Sequence, residues 1–190
     1  MLMHAFWVLF NPSTYTRLVI LIMSTHPSEI PSLTLHYNPP VDEKNACGVS
    51  QPFPLAEELR GKTAIIVTVP GAFTPTCHNK HIAQYVEKYD ELKSKGIDKV
   101  IVIATNDQFV MHAWAQSLNA ASKLLFVGDA NGEFTKAMGL GLDLSSKGMG
   151  ALRCKRSAIL VKDMKVIAFK VEESPGNLDV SSVTSMMSHL

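Results

Sequence analysis

Apolar and β-branched residues cluster in short runs along residues 61–190, and these runs predict the strands of a central sheet. Three of the runs are continuous, which is typical of strands buried on both faces. They lie at 63–69, 99–104 and 124–128. Two later runs, at 157–162 and 166–172, are separated only by Asp163-Met164-Lys165, so they predict a hairpin.

The segments between the runs have the three-to-four-residue apolar spacing of amphipathic helices. The first predicted helix has Thr74 as its N-cap and Pro75 at its first position, where the missing N–H is not needed, and it ends near Gly96. Asn106 is the predicted cap of a second helix, and residues 178–189 have a helical pattern. Strands that alternate with helices predict an α/β domain whose central mixed sheet is flanked by helices.

A doubtful segment precedes this pattern. Residues 1–22 include most of two apolar runs, at 5–10 and 18–23, which polar residues separate. Neither run approaches the roughly 20 apolar residues of a membrane-spanning helix, so we expect no membrane insertion. Because Met23 begins a more ordinary sequence, we interpret residues 1–22 as a doubtful N-terminal extension.

A polar, proline-rich segment leads into the predicted core. Residues 24–45 contain four prolines, and only residues 33–37 among them have the pattern of a strand. We therefore interpret residues 23–60 as an N-terminal arm, which carries Cys47. Residues 61–190 form the predicted core of the domain.

Composition and charge narrow the range of functions. Of 190 residues, 46% are hydrophobic and 18% are charged, which is typical of a domain that buries its own core. The formal net charge is +1 and Lys/Arg clusters are missing, so a nucleic-acid partner is not expected. The three cysteines, Cys47, Cys77 and Cys154, form no Cys-x-x-Cys pair. Their odd count argues against a secreted disulfide framework and favours reactive thiols in a reducing compartment.

The candidate chemistry lies in the segment Pro70-Gly71-Ala72-Phe73-Thr74-Pro75-Thr76-Cys77. It follows a predicted central strand and puts Cys77 in the first turn of a helix, where unpaired N–H groups favour a thiolate and can stabilise an oxyanion. Thr74 can bring its hydroxyl beside the sulfur, while Pro70 and Pro75 can shield it from water. A lone cysteine is more often a packed core residue, but this setting favours a nucleophile.

The motif Pro-x-x-x-Thr-x-x-Cys, present as Pro70, Thr74 and Cys77, resembles the active-site motif of the peroxiredoxins. The longer string PGAFTPTC is similar to the type 5 or fungal alkyl hydroperoxide reductase-like branch. The similarity continues through GDANGEFTKAMGL and covers roughly residues 45–190. It implies a thioredoxin-like fold, a homodimer, and a thiol peroxidase that needs no metal, flavin or haem.

The resemblance also implies roles for individual residues. Cys77 resembles the peroxidatic cysteine, which attacks a peroxide and becomes a sulfenic acid. Thr74 resembles the threonine that hydrogen-bonds the sulfur and the peroxide, and Pro70 the proline that walls off the site. Arg153 and Arg156 compete for the family's arginine. The family pattern puts it directly before an apolar run, which selects Arg156 to stabilise the thiolate and leaves Arg153 as a solvated charge.

Two more cysteines bear on how oxidised Cys77 is reduced. The resemblance aligns Cys47 with a resolving cysteine that forms a disulfide with the partner subunit's peroxidatic cysteine, and the alternative is an unused exposed thiol. Cys154 precedes Arg156 by two positions, so both would point to one sheet face if the strand extends that far. The family pattern has no redox cysteine there, and we interpret Cys154 as a bystander.

Two histidines beside the cysteine raise the question of a metal site. His78 and His81 supply a partial ligand set, but zinc sites need three or four ligands with recognisable spacing and no further residue completes this one. We therefore expect no metal. His81 matches a family histidine and is interpreted as a hydrogen-bonding helix residue.

The resemblance implies a complete reaction cycle. Cys77 reduces hydrogen peroxide or an alkyl hydroperoxide, Cys47 resolves the sulfenic acid, and thioredoxin or a similar dithiol reduces the disulfide. The alternatives are a one-cysteine peroxidase recycled by glutathione or glutaredoxin, and a peroxide sensor or chaperone. We expect a cytoplasmic protein, with the peroxisome as the alternative because Ser188-His189-Leu190 resembles the Ser-Lys-Leu address.

Overall fold

The computed structural model describes residues 26–40 and 48–190. The strands in these ranges are β1 (Thr34–Tyr37), β2 (Gln51–Pro54), β3 (Thr63–Thr68), β4 (Lys99–Ala104), β5 (Leu125–Gly128), β6 (Gly141–Leu142), β7 (Arg153–Cys154), β8 (Ser157–Lys162) and β9 (Lys165–Val171). The helices are α1 (Leu55–Leu59), α2 (Ala83–Glu87), α3 (Tyr89–Ser94), α4 (Gln108–Ser117), α5 (Glu133–Ala137) and α6 (Val183–Met187), with a π-helical turn at Cys77–Ile82 and a 3₁₀ turn at Ser145–Lys147. Among them, no helix has the length and apolar character needed to cross a bilayer.

Seven of these strands form one mixed sheet, in the order β2-β1-β5-β4-β3-β8-β9. The strands β3, β4 and β5 are parallel neighbours, whereas β8 pairs with β3 and β1 with β5 in the antiparallel direction. The three continuous apolar runs therefore occupy the centre of the sheet, and the predicted hairpin is β8 with β9. This arrangement confirms the predicted central mixed sheet.

Alternating side chains along β3 divide the core into two layers. Ile65 points to one face, where it belongs to the same cluster as Cys77 and Trp114, and we call this the Cys77 face. Ile66 points to the opposite face, in the cluster that contains Cys154, and we call this the Cys154 face. Helices α2, α3, α4 and α6 cover the Cys77 face, while α1 and α5 cover the other. The sheet thus separates the two buried thiols.

The helix that contains Cys77 is less regular than the sequence predicts. Helical backbone begins at Pro75 as expected, but Cys77–Ile82 forms a wider π turn before α2. Lys88, with φ −90° and ψ 10°, then separates α2 from α3. A π turn adds about one residue to one helical turn, which barely alters apolar spacing, so the sequence pattern does not reveal it.

The predicted cap of α4 is wrong by one residue. Asp107 is the cap, and its Oδ1 accepts hydrogen bonds from the backbone N–H groups of Phe109 and Val110, each at 2.9 Å. Asn106 Oδ1 instead accepts from the backbone N–H of Ala72 at 3.0 Å. Asn and Asp cap helices about equally well, so two adjacent candidates could not be separated from sequence.

The segment before residue 61 contributes more structure than the single strand expected there. The predicted strand is confirmed as β1, which pairs with β2 on one side and β5 on the other. Leu55 and Leu59 of α1 are completely buried on the Cys154 face. Residues 1–22, interpreted as a doubtful extension, lie outside the described residues.

A small sheet of β6 and β7 decides where Cys154 lies. Cys154 pairs with Gly141, and β8 begins only at Ser157, so Cys154 and Arg156 do not belong to one strand. The expectation that both side chains share a sheet face is therefore wrong. A two-residue strand is too short to show alternation in sequence, and only its pairing with Gly141 and Leu142 defines it.

We predict that Ile66→Ala lowers the free energy of unfolding by about 2–5 kcal/mol, because it leaves a cavity in the central strand. Ile66 is completely buried, whereas Ile167 on the edge strand β9 is 56% exposed. The matched variant Ile167→Ala should therefore change the same quantity by less than about 0.5 kcal/mol. Urea unfolding followed by circular dichroism measures both, and equal losses would contradict the central position of β3.

Candidate active site

The candidate site lies beyond the carboxyl end of β3, at the sheet edge where open α/β proteins bind ligands. The chain passes from Pro70 through a short loop into helical backbone at Pro75. The first bond of that helix runs from the N–H of His78 to the carbonyl of Thr74, at 2.8 Å. Cys77 therefore lies in the first turn, as the sequence predicted, and its side chain is completely buried.

The loop before the helix is held in an unusual conformation. Phe73 has φ 60°, which a residue with a side chain rarely adopts. Its half-exposed ring stacks on His78 at 6.0 Å between centroids, and His78 Nδ1 accepts a hydrogen bond from Trp114 Nε1 at 2.9 Å. The bond from Ala72 to Asn106 holds the loop from the other side. These contacts fix the approach to Cys77.

Thr74 stands directly before the helix, as predicted, but its side chain does not cap it. Its hydroxyl donates to the carbonyl of Gly71 at 3.0 Å and so closes the loop. In the described part of the chain, no hydrogen bond joins this hydroxyl to the Cys77 sulfur. The hydroxyl oxygen keeps lone pairs that can accept a further bond.

Arg156 is the charged group of the site. It directly precedes β8, and the pairing of Ser157 with Thr68 brings it beside the loop that leaves β3. Its Nη2 lies 3.5 Å from Cys77 Sγ and donates to the carbonyl of Pro175 at 2.7 Å. The side chain is 2% exposed, and its Nε–H has no partner among the described residues.

The charge of Arg156 is buried without an acidic partner. Within residues 26–40 and 48–190 no carboxylate forms an ion pair with it. Burying an unpaired charge is strongly unfavourable, and the Cys77 sulfur lies 3.5 Å from Nη2, where a thiolate would compensate it. Arg153, the competing candidate, instead donates from Nε to the carbonyl of Met149. The geometry therefore brings Arg156, and not Arg153, onto the sulfur.

His81 links Arg156 to a distant segment. Its Nδ1 lies 3.2 Å from Arg156 Nη1 and its Nε2 lies 3.0 Å from the carbonyl of Ser181. A carbonyl can only accept, so Nε2 carries the proton and Nδ1 accepts from Arg156. Burial, assisted by the Arg156 charge, lowers the pKa of His81 from 6.5 to about 3, which keeps the ring neutral. With both nitrogens engaged, His81 is not available to a metal.

A cavity of about 200 Å³ opens onto Arg156. Its walls are mainly apolar, and its two charged residues are both cations. The lining residues are Pro70, Thr74, Pro75, Thr76, Leu144, Lys147, Met149, Arg156, Pro175 and Gly176. The cavity thus combines room for a small apolar group with a guanidinium whose Nε–H has no partner among the described residues.

Comparison with known proteins identifies the family. The Redoxin family model matches residues 27–187. A Malassezia furfur protein assigned to the peroxiredoxins is 45% identical over 86% of this chain and 98% of its own length. Peroxiredoxin-2B of Arabidopsis thaliana is 46% identical over 68% of this chain and 79% of its own. This chain belongs to the peroxiredoxin family.

Solved structures agree with this family and with the thioredoxin-like fold that the sequence predicted. Reduced Prx3 from Vibrio vulnificus in complex with H₂O₂ has a TM-score of 0.74 and 34% identity, covering 84% of this peroxiredoxin and 94% of that chain. The 1-Cys peroxiredoxin of Plasmodium falciparum has a TM-score of 0.77 and 26% identity, with 84% and 96% covered. The peroxiredoxin is therefore an enzyme of the peroxidase class.

One further relative bears on cellular location. A Lipomyces kononenkoae protein assigned to the peroxisomal peroxiredoxins is 40% identical over 79% of this peroxiredoxin. That match covers 89% of the relative's own length.

Cys154 of the peroxiredoxin differs from Cys77 in setting. Cys154 is completely buried on the opposite sheet face. Burial raises its pKa to about 11, although hydrogen bonds with Thr135 and Thr68 work in the other direction. It is therefore a protonated, poorly nucleophilic thiol at neutral pH. Cys47 lies outside the described residues, so its resolving role stays a prediction.

Sequence reasoning missed the residues that support the site from a distance. Asn106 was predicted only as a helix cap, and the sequence predicted no role in the site for Trp114, Pro175 or Ser181. None has a local motif, because each acts through a hydrogen bond to a residue far away in the chain. The polar side chains of Asn106 and Ser181 were the only sequence signal that these residues could form such hydrogen bonds.

We predict that neutral His81 makes folding stability depend on pH. The unfolded chain binds a proton at His81 below pH 6.5, whereas the folded chain binds it only near pH 3. The contribution of His81 to the free energy of unfolding is thus complete above pH 6.5 and is lost as the pH falls toward 3. Between pH 7.5 and 5.0 the loss is about 2 kcal/mol. Urea unfolding at both pH values should show a smaller loss for His81→Gln. An equal loss in both proteins would contradict the buried neutral ring.

Proposed function

We propose that this peroxiredoxin reduces hydroperoxides through the Cys77 thiolate, which Arg156 stabilises. The observation that carries the proposal is a guanidinium that is 2% exposed, has no carboxylate partner in the described residues, and lies 3.5 Å from the Cys77 sulfur. A thiolate there cancels a buried charge that is otherwise uncompensated. A thiolate, not a thiol, is the nucleophile in sulfur chemistry.

The thiolate attacks one oxygen of the peroxide. A sulfur–oxygen bond forms as the oxygen–oxygen bond breaks, so Cys77 becomes a sulfenic acid while the other oxygen leaves and is protonated to water or an alcohol. The Nε–H of Arg156 is buried and has no partner among the described residues, and we propose that it donates to the bound peroxide and to the charge that develops on the leaving oxygen. Thr74 accepts or donates a hydrogen bond at the peroxide, and Pro70 shields the sulfur from water.

The substrate class follows from the cavity above Arg156. Hydrogen peroxide needs little space, and a cavity of about 200 Å³ with walls such as Leu144 and Met149 also holds the apolar part of an alkyl hydroperoxide. We therefore propose both as substrates.

Recycling requires a second thiol, and we propose Cys47 of the partner subunit in a homodimer. The proposal rests on the resemblance to peroxiredoxins that carry an N-terminal resolving cysteine. It is supported by the unsuitability of Cys154, whose thiol is buried on the other sheet face with a pKa of about 11. Thioredoxin or a similar dithiol would then reduce the disulfide between Cys77 and Cys47.

A one-cysteine cycle is the second candidate. The similar fold of the 1-Cys peroxiredoxin of Plasmodium falciparum favours it, since that architecture also serves a one-cysteine peroxidase. In that case an external thiol such as glutathione, with glutaredoxin, would reduce the sulfenic acid of Cys77.

We propose a cytoplasmic location with the peroxisome as the alternative. The last three residues, Ser188-His189-Leu190, resemble a peroxisomal address, and Leu190 is 39% exposed. The Lipomyces kononenkoae relative assigned to the peroxisomal peroxiredoxins supports the same alternative.

We predict that Cys77→Ser abolishes peroxide consumption, to below about 1% of the wild-type rate, because a serine hydroxyl does not ionise at neutral pH. The matched variant Cys154→Ser should keep most of the activity, since that thiol is buried on the other face of the sheet. Hydrogen peroxide consumption with dithiothreitol as reductant measures both. Activity that survives in Cys77→Ser would remove this cysteine from the mechanism.

We predict that one equivalent of hydrogen peroxide converts the wild-type protein to a disulfide-linked dimer on a non-reducing gel, and that Cys47→Ser gives no such dimer. Peroxide should still be consumed in the first turnover of the variant, while steady turnover with thioredoxin should stop. A wild-type protein that consumes peroxide but forms no covalent dimer would support the one-cysteine cycle instead.

A further inference from the structure

Residues 172–181 connect β9 to α6, and we call this segment the strap. Glu172 begins it and Ser181 ends it. The carboxylate oxygen Oε1 of Glu172 accepts three hydrogen bonds, from the backbone N–H of Asp179 at 2.8 Å, the backbone N–H of Ser181 at 2.8 Å and the Ser181 hydroxyl at 2.7 Å. One buried oxygen, on a side chain that is 7% exposed, thus draws the two ends of the strap together.

The charged form of Glu172 suits this arrangement. Burial works to raise the pKa of the carboxyl group, but the hydrogen bonds from Asp179 and Ser181 outweigh it and hold the pKa below its ordinary 4.5. Hydrogen bonds to a charged acceptor are stronger than those to a neutral one. Glu172 is therefore ionised at neutral pH, as an acceptor of three bonds should be.

The folded strap presents two carbonyl groups toward Arg156. The carbonyl of Pro175 accepts directly from Nη2 at 2.7 Å. The carbonyl of Ser181 accepts from His81 Nε2 at 3.0 Å, and His81 Nδ1 in turn accepts from Nη1 at 3.2 Å. Both terminal nitrogens of the guanidinium are thus oriented by the strap, one directly and one through a neutral imidazole.

We propose that Glu172 is a positioning residue, which folds the strap so that its carbonyl groups hold the Arg156 guanidinium against the Cys77 sulfur. The inference rests on the proposed function of Cys77 and Arg156. Among the described residues the Glu172 carboxylate forms no hydrogen bond or ion pair with the sulfur or the guanidinium. The backbone bond from the Glu172 N–H to the Arg156 carbonyl, at 3.0 Å, does not depend on the side chain. The carboxylate therefore reaches Arg156 through the fold of the strap and, by its charge, through the nearby His81 ring.

The test is a double-mutant cycle on the second-order rate constant for the first reaction of reduced protein with hydrogen peroxide, measured by competition with horseradish peroxidase. Recycling does not enter this rate. Glu172→Ala should lower it about ten-fold, since three donors lose their acceptor and the guanidinium loses its orientation. Val180→Ala, which truncates a 37% exposed side chain in the same strap, is the matched control and should react like the wild type.

The decisive arm repeats Glu172→Ala in an Arg156→Met background. If Glu172 acts through Arg156, adding Glu172→Ala to the Arg156→Met variant should change the rate constant of that variant less than two-fold. The reason is that there is no guanidinium left to position. An equal ten-fold loss in both backgrounds would mean a general structural role and would overturn the proposal. A wild-type rate for Glu172→Ala would overturn it as well.

Two further arms keep the outcomes distinct. If Glu172→Ala does not fold, Glu172→Gln takes its place, with an expected loss of about three-fold because a neutral amide is a weaker acceptor; a wild-type rate in Glu172→Gln would then overturn the proposal. Failure of the proposed function is recognised separately, by a wild-type rate no faster than that of Cys77→Ser. A fast wild type with unaffected Glu172 variants would reject only the positioning role.

Discussion

The burial of one guanidinium without a carboxylate partner is the constraint on which this active site depends. Arg156 is held by a neutral imidazole, a backbone carbonyl and the Cys77 sulfur, and the first two cannot cancel its charge. Removing a charge from water is unfavourable unless an opposite charge accompanies it. In the proposed function the Cys77 thiolate supplies that charge, which couples the free energy that opposes the burial of Arg156 to the form of Cys77 that reacts.

The same physical argument explains why one buried cysteine is suited to chemistry and another is not. Both Cys77 and Cys154 are completely buried, so exposure does not distinguish them. Cys154 has apolar groups, threonine hydroxyls and the carboxylate of Asp129 around it, and burial, assisted by the Asp129 charge, raises its pKa to about 11. Cys77 has a guanidinium and the first turn of a helix. The central sheet keeps the two environments apart.

The candidate site is assembled from segments that lie far apart in the chain. Its parts come from the loop and helical turn around Cys77, from the end of β4 with α4, from Arg156 before β8, and from the strap after β9. Hydrogen bonds between these distant segments, such as Asn106 with Ala72 and His81 with Ser181, hold the segments together. The strained backbone at Phe73 persists only because such contacts surround it.

Local pattern in the sequence was enough to determine the central strands, the β8–β9 hairpin and the start of a helix at Pro75, because these depend on neighbouring residues. The motif resemblance also selected Arg156 over Arg153. The tertiary structure alone decided the sheet face of Cys154, the π turn and the hydrogen bonds that reach Arg156 through His81 and the strap. Those features depend on contacts between residues far apart in the chain, for which a single sequence carries no periodic signal.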